Sequence, residues 1–364
     1  MKVNKNNKRK CVVTITDGIS PTSMPFNEFI LYRLKHYPEE KQVLIQVFEQ
    51  GIVGDVRIPA EVDFYSLGID LSSIWKTIQE LEKKYDVRAY HVHEGKSVIL
   101  FSVATIWKYR RKTIYTLHST YRNYPFHNKL FSFCASLLAK EVVCVSKTSL
   151  KYYPKILKVL RGSHAMYIQN GVDTERIESV VCDSINKEEP FTMVFVARLV
   201  ALKRHYMLFE ALKSLPNVRL QLIGTGPLEK VLRQKISDLG IDNQVDFLGL
   251  KTREDVYKIL KKSDLYVSSS SYEGLPIGVL EAMGCGTLCL VSDIEQHAEI
   301  AEKCPTLQLC PDDISQWVQR IQCQMKLSNS DIAEIKMRNK QSVFNYFSLA
   351  SMHEHYNELY FKTK

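Results

Sequence analysis

Apolar runs of strand length recur along this chain with amphipathic, helix-length stretches between them, and that alternation limits its fold more than any other feature. In the first half the runs are Cys11–Ile15, Val43–Val47, Ala89–Val92, Thr113–Leu117 and Val142–Val145. In the second half they are Met193–Val196, Arg219–Ile223, Val245–Leu248, Leu265–Ser268 and Leu288–Val291. A strand that reads as continuously apolar is covered on both faces, as in a parallel sheet flanked by helices. Two sets of domain size predict two Rossmann-like α/β domains, and 364 residues exceed what one core usually serves. The polar stretch Asp183–Pro190 interrupts the pattern and reads as the linker. Ligands of open α/β sheets bind beyond the carboxyl ends of the strands, so the active site is expected in a cleft between the two sheets.

Composition narrows the class further. With 45% hydrophobic and 24% charged residues the chain reads as an ordinary soluble protein. Residues 1–165 hold 26 Lys/Arg against 14 Asp/Glu, and the remainder 23 against 26, so the net +9 is concentrated in the first half. That asymmetry points to an anionic partner there, with solvated lysine as the competing explanation. The nine cysteines form no C-x-x-C pair, and Cys11, Cys144 and Cys289 fall in apolar runs, as expected of buried thiols in a reducing cytoplasm. The basic Lys2–Lys10 segment lacks a following apolar region of signal-peptide length, and Val98–Trp107 is too short to span a bilayer.

The richest local pattern is Ser268–Gly286, where Glu273 and Glu281 flank a turn bearing Gly274, Leu275, Pro276, Ile277 and Gly278. A buried strand precedes it, and Pro276 suits the first turn of a helix. Free N–H groups at such a helix start, with a carboxylate on either side, suit a diphosphate flanked by hydroxyl-rich rings. Arg198 and Lys203 follow the first strand of the second set, where either could neutralise charge on a phosphate leaving group or form a solvated basic turn. Gly224 and Gly226 begin a G-x-G without the third glycine, which fits a tight turn as well as a ribose or base contact. Leu250 ends another strand that could flank a nucleobase.

In the first half His118 ends a strand and could bond a sugar hydroxyl or phosphate. His91 and His93 alternate onto one face, but no further ligands stand near them, and the absence of Asp-x-Asp removes the usual carboxylate pair for a metal–diphosphate complex. Tyr109–Lys112, Lys2–Lys10, Lys151, Lys155 and Lys158 could form a surface for anionic lipid. No nucleic-acid-binding motif accompanies the charge.

Ala197-Arg-Leu with Lys203, Gly224-Thr-Gly-Pro-Leu, Val245-Asp-Phe-Leu-Gly, Ser263-Asp-Leu-Tyr-Val and Glu273-Gly-Leu-Pro with Leu280-Glu-Ala-Met occur in an order that resembles family 4 glycosyltransferases. The resemblance implies the GT-B fold, with two facing Rossmann-like domains and a final helix, around Phe347–Tyr360, crossing back to the N-terminal domain. It divides the chain into 1–180 with 346–364, for the acceptor, and 181–345, for the nucleotide sugar. It also implies a retaining reaction marked by the E-x7-E motif. On that likeness Glu281 binds the donor ribose, and Glu273 holds the transferred sugar, with the backbone of Gly274 to Gly278 near the diphosphate. Arg198 and Lys203 stabilise the departing nucleoside diphosphate, and His118 lies near the sugar. The chain departs from the family at the loop after its first strand, where a Gly-Gly pair is frequent and only Gly18 is available.

The expectation is therefore a cytoplasmic, metal-independent hexosyltransferase with no cofactor beyond its nucleoside-diphosphate-sugar donor. Its acceptor would be a glycan or a lipid-linked glycan of bacterial surface polysaccharide or lipopolysaccharide synthesis, reached by peripheral contact with an anionic membrane. A sugar-nucleotide epimerase of the same fold and a non-catalytic sugar-nucleotide-binding protein are the alternatives. A nicotinamide dehydrogenase fits less well, because neither half carries a full G-x-G-x-x-G.

Overall fold

The computed structural model describes residues 8–20, 23, 25–49, 56–161, 165–182 and 190–362. Most of the Lys2–Lys10 cluster and of the expected linker lies outside these residues. The chain divides into one unit of Met1–Gln169 with Met352–Lys364 and a second of Asn170–Ser351. The sequence placed the first boundary at residue 180, later than the structure does. Residues 170–180 join the second unit because Val172 exchanges backbone hydrogen bonds with Phe347 (2.8 Å) and Leu349 (2.9 Å). Gly171 lies so close to this segment that an added Cβ would sit 2.4 Å from the Ser348 carbonyl.

The first unit is built on a seven-stranded sheet of β1 (Lys10–Thr16), β2 (Lys41–Gln46), β3 (Asp63–Ser66), β4 (Asp86–Val92), β5 (Thr113–Leu117), β6 (Glu141–Cys144) and β7 (Ala165–Tyr167). Every pairing is parallel, in the order β3-β2-β1-β4-β5-β6-β7. Val13, Ile15, Val43, Tyr90 and Val142 share a core with Ile74, Ile78 and Leu81 of the helix Leu71–Lys84. That helix starts where the Asp70 carboxylate accepts from Ser72 N at 3.0 Å, an N-cap that satisfies an otherwise unpaired donor.

The last helix, Leu349–Tyr360, contributes His353, Tyr356, Asn357 and Tyr360 to this unit, spaced to share one helical face. Arg33 is buried and ion-paired to Glu40. The same guanidinium donates to Asn357 Oδ1 (2.8 Å) and His353 Nδ1 (3.3 Å). His353 Nε2 in turn donates to the Glu28 carbonyl at 2.8 Å, which leaves Nδ1 as the acceptor that Arg33 needs.

The second unit carries β8 (Phe191–Val196), β9 (Val218–Ile223), β10 (Val245–Gly249), β11 (Leu265–Ser268), β12 (Leu288–Ser292) and β13 (Gln308–Cys310), all parallel in the order β10-β9-β8-β11-β12-β13. Met193, Phe195, Leu220, Val267 and Leu290 form its core with Leu208 and Trp317. Strand order reverses between β8 and β11. The loops leaving those two strands therefore diverge at a switch point, the usual ligand position of an open α/β sheet. The equivalent place in the first unit lies between β1 and β4.

Candidate active site

Two loops are sewn together at the switch point of the second unit. Ser269 Oγ lies 2.9 and 3.0 Å from the carbonyls of Lys203 and Arg204, and Ser271 N donates to the Leu202 carbonyl at 2.8 Å. Arg204 has left-handed backbone (φ 47°) and reaches back to the Ser269 carbonyl through Nε at 3.0 Å. Held this way, Lys203 Nζ meets Glu273 Oε1 at 2.5 Å, with 17% and 13% of the two side chains exposed. Arg198, earlier on the same loop, is exposed, and its guanidinium bonds no described residue.

The helix Ile277–Gly284 begins directly after the Glu273 loop. Pro276 is its N-cap rather than a first-turn residue (φ −77°, ψ 97°), which corrects the sequence expectation. Its carbonyl accepts from Val279 N (3.2 Å) and Leu280 N (3.4 Å), and no side chain caps this end. The leading N–H groups and the positive end of the helix dipole are thus available to an anion. Leu275 is buried, and Gly278 lies against the buried Tyr266 of β11, whose hydroxyl would be 2.8 Å from an added Cβ.

Glu281 is almost fully buried. Its Oε1 accepts from Tyr257 Oη at 3.0 Å and from Arg253 Nη1 at 3.2 Å. Both donors stand on the helix Arg253–Lys262, four residues apart on one face, behind the N-cap Thr252. Burial, and then the charge of Glu281, push the Tyr257 phenol well above its ordinary range, so it remains a donor. Sequence reasoning missed this pair. The i,i+4 spacing was visible, but nothing in it indicated that the face turns toward Glu281.

Gly224 and Gly226 are accounted for by packing. An added Cβ would stand 2.1 Å from the Ala197 carbonyl oxygen at Gly224 (φ 131°) and 2.5 Å from that of Leu199 at Gly226. Leu199 N donates to the Thr225 carbonyl (3.0 Å) and Leu228 N to the Leu199 carbonyl (3.1 Å). The two glycines thus let the loops after β8 and β9 cross, and the residue fixed between the crossing points is Arg198. Leu250, just past Gly249 (φ 68°), is exposed.

Behind the Glu273 loop lies His297, fully buried, with Nδ1 at 2.7 Å from the Ser292 carbonyl. Ser292 Oγ donates to the Ser270 carbonyl at 2.5 Å, which ties the histidine to the segment that leads to Glu273. Burial draws this imidazole down to about 4, so it is neutral. His297 also went unnoticed in the sequence.

In the first unit His91 and His93 do share a face, with ring centroids 4.1 Å apart. His91 bonds Tyr360 Oη (2.6 Å) and Thr116 Oγ1 (2.7 Å), and is committed to holding the last helix. His93 Nδ1 is 3.0 Å from His118 Nε2, and desolvation draws the half-buried His118 down to about 4. Among the described residues no group of three His, Cys, Asp or Glu could hold a metal ion. Gly18 leaves room for the Glu49 carboxylate, whose Oε2 would be 1.8 Å from an added Cβ. Nearby, Glu94 accepts from Asp17 N at 3.2 Å. Burial, reinforced by the Asp17 charge, pushes the Glu94 carboxyl up to about 8. Residues 21, 22 and 24 of this loop lie outside the described residues.

Two parallel-sheet Rossmann-like units of this kind define the GT-B class. The solved structures that the chain resembles are GT-B glycosyltransferases. One, from Rickettsia africae, superposes with a TM-score of 0.77 at 18% identity, covering 98% of this chain and 100% of that one. Another, Anabaena Alr3699/HepE in complex with UDP-glucose, gives 0.76 at 18% identity, over 95% and 98%. Residues 33–176 match the family described as Glycosyltransferase Family 4, and residues 182–332 match Glycosyl transferases group 1. A UDP-Gal:alpha-D-GlcNAc-diphosphoundecaprenol alpha-1,3-galactosyltransferase of Escherichia coli is 24% identical over 318 residues, 81% of this chain and 80% of that protein. The amylovoran biosynthesis glycosyltransferase AmsK of Erwinia amylovora is 23% identical over 272 residues, 72% and 63% of the two. Together these matches support a glycosyltransferase of the family 4-like, GT-B kind, with relatives in polysaccharide biosynthesis.

Proposed function

We propose that the protein is a retaining, metal-independent glycosyltransferase that moves a hexose-type sugar from a nucleoside diphosphate to a glycan or lipid-linked acceptor in bacterial surface polysaccharide synthesis. The observation that carries the proposal is the Lys203–Glu273 contact beside an uncapped helix start, with Glu281 fixed by Arg253 and Tyr257 on the far side. In this reading Glu281 accepts from the donor ribose hydroxyls and Glu273 from those of the sugar. The N–H groups of Gly274, Leu275, Ile277 and Gly278 meet the diphosphate, and the loop turned by Gly224 and Gly226 borders the base together with Leu250. Lys203 has three donors and can serve Glu273 and a phosphate oxygen together, while Arg198 supplies a second positive charge.

The acceptor oxygen bonds to the anomeric carbon on the face that the leaving diphosphate vacates, and a phosphate oxygen takes the acceptor proton. The new glycosidic bond replaces the bond to phosphate with the same configuration. Arg198 and Lys203 stabilise charge growing on the leaving group, which is worth most in a site shielded from water. Neutral His118 and the Gly18 loop are assigned to the sugar and acceptor side. The E. coli relative is described as using UDP-Gal and the Anabaena neighbour is in complex with UDP-glucose, which favours a UDP-sugar here.

Among the described residues no helix is long and apolar enough to cross a membrane. A cytoplasmic enzyme meeting the anionic inner face of the membrane is supported by exposed Phe126, Leu130, Ile156 and Val159, with Lys129, Lys155 and Lys158 on the same two helices. Transfer assays with a panel of nucleotide sugars test the enzyme. Wild-type activity in Glu281→Ala or Arg198→Ala would overturn the site assignment. Flotation with phosphatidylglycerol vesicles tests the membrane contact, which is excluded if the protein stays unbound at low salt.

A further inference from the structure

A second site, independent of the donor-site reading, lies in the first unit at the amino ends of the strands. β4 begins at Asp86 but pairs with β5 only from Tyr90, opposite Thr113. On its other edge β4 follows β1 through a bulge, with Cys11 opposite Val87 and Val12 opposite Ala89, so Arg88 is the extra residue. Bulges re-aim side chains. The late start of β5 leaves a notch along Asp86–Ala89, closed by Leu359 and Tyr360 at the end of the last helix. It encloses about 400 Å³, within the range of small-molecule sites.

The notch is charged. Arg88, Arg111, Lys112, Lys140 and Lys362 line it against Asp86 and Glu141. Lys112 is committed to Glu82, at 2.7 and 2.9 Å. Arg88 lies 3.3 Å from Asp86. Arg111 and Lys362 are exposed and bond no described residue. The remaining surplus of two positive charges equals the charge of a phosphate monoester dianion. Ala89, Ile114 and the Tyr360 ring supply apolar wall for an organic group beside it.

We propose that this notch binds the phosphate group of a small phosphate ester, such as a sugar phosphate. Acetylation footprinting read by mass spectrometry tests it at constant ionic strength. The probes are millimolar ribose 5-phosphate, ribose as the uncharged control, and phosphatidylcholine vesicles containing phosphatidic acid as the lipid source of the same monoester group. Ribose 5-phosphate is expected to slow acetylation of Lys140 and Lys362 about threefold or more, as an occupied site shields its lysines. Ribose leaves both rates unchanged, as does any probe at the exposed Lys230 of the second unit, and Arg111→Ser abolishes the protection. Protection by vesicles alone upholds the phosphate site and assigns it to a headgroup. Rates at Lys140 and Lys362 that stay unchanged with both phosphate probes, or protection that survives Arg111→Ser, overturn the proposal.

Discussion

Replacing Lys203 by methionine takes the positive charge away from the Glu273 carboxylate, and the penalty can be worked from the geometry. The charged atoms are 2.5 Å apart, with 17% and 13% of the side chains exposed. At an effective dielectric of about 20 their attraction is about 6–7 kcal/mol. Desolvation of the two ions takes back several kcal/mol each, so the intact pair adds little net stability. Removing one partner cancels the attraction but leaves the other ion's desolvation cost in place. For fully buried pairs that costs about 3–5 kcal/mol, and the residual exposure here trims it to about 2 kcal/mol. Lys203→Met is therefore expected to cost about 2 kcal/mol, and Glu273→Gln somewhat less because the lysine stem can swing toward water. The double variant should return to within about 1 kcal/mol of wild type, a coupling near 2 kcal/mol. Urea unfolding read from Trp317 measures this. That tryptophan is buried in the second unit, and Trp75→Phe with Trp107→Phe silences the two in the first. Activity should not follow stability: both single variants and the stable double variant are expected to lose sugar transfer. A coupling below about 0.5 kcal/mol would refute the energetic reasoning, and transfer by the double variant would refute the functional role.

Glu281→Ala removes the acceptor for the donor ribose, with an expected fall of about 10- to 100-fold in kcat/KM carried by KM, and Arg253→Ala should give a smaller fall of the same kind. Steady-state kinetics at varied donor concentration check both, and a fall confined to kcat would count against ribose binding. Gly224→Ala drives a methyl into the Ala197 carbonyl and should cost more than about 3 kcal/mol or prevent folding, whereas Gly240→Ala, at φ 65° with nothing within 4 Å, should cost only about 1 kcal/mol. Equal losses in the two would refute the close-approach account. Burial and the neighbouring Arg33 hold the His353 imidazole down to about 3, while in the unfolded chain it titrates near the ordinary histidine value of 6.5. Between those values the unfolded state binds more protons, so stability present above 6.5 is lost as pH falls, by up to about 1.4 kcal/mol per pH unit. The difference between wild type and His353→Gln should therefore narrow on acidification, and a difference that stays flat from pH 7 to pH 5 would exclude the linkage.

The strands that the sequence hid share one physical trait, although β10, an edge strand that opens on the buried Val245, was read correctly. The ten apolar runs all fall on strands, and their ends shift by no more than two residues, except at β4, which extends back to Asp86. The three strands missed, β3, β7 and β13, are all sheet edges. An edge strand has a neighbour on one side only, and here each is short and partly exposed. Asp63–Ser66 and Gln308–Cys310 therefore carry polar residues where a central strand would be apolar. Within the site, Glu273, Glu281 and Lys203 were legible because a charged residue beside glycine and proline at a strand end is a local signal. Arg253, Tyr257 and His297 were not, because their part depends on which face of a helix turns toward Glu281 or the Ser270 segment. Burial reverses local expectation too: Arg33 reads as a surface cation and is instead enclosed by Glu40, His353 and Asn357.

The G-x-G after β9 could be read either as a ligand cradle or as a tight turn, and the structure joins the two. Gly224 presses on the Ala197 carbonyl and Gly226 on that of Leu199, one on each side of Arg198. A side chain at either glycine would move the backbone that carries the guanidinium, even without touching a ligand. A displacement on the order of 1 Å can cost about 100-fold in rate when charge must be met at a fixed point. A substitution at Gly226 should therefore impair transfer in step with Arg198→Ala, while donor binding through Glu281 persists. That separation, lost kcat with retained donor affinity, would distinguish a glycine that positions the arginine from one that holds the nucleotide.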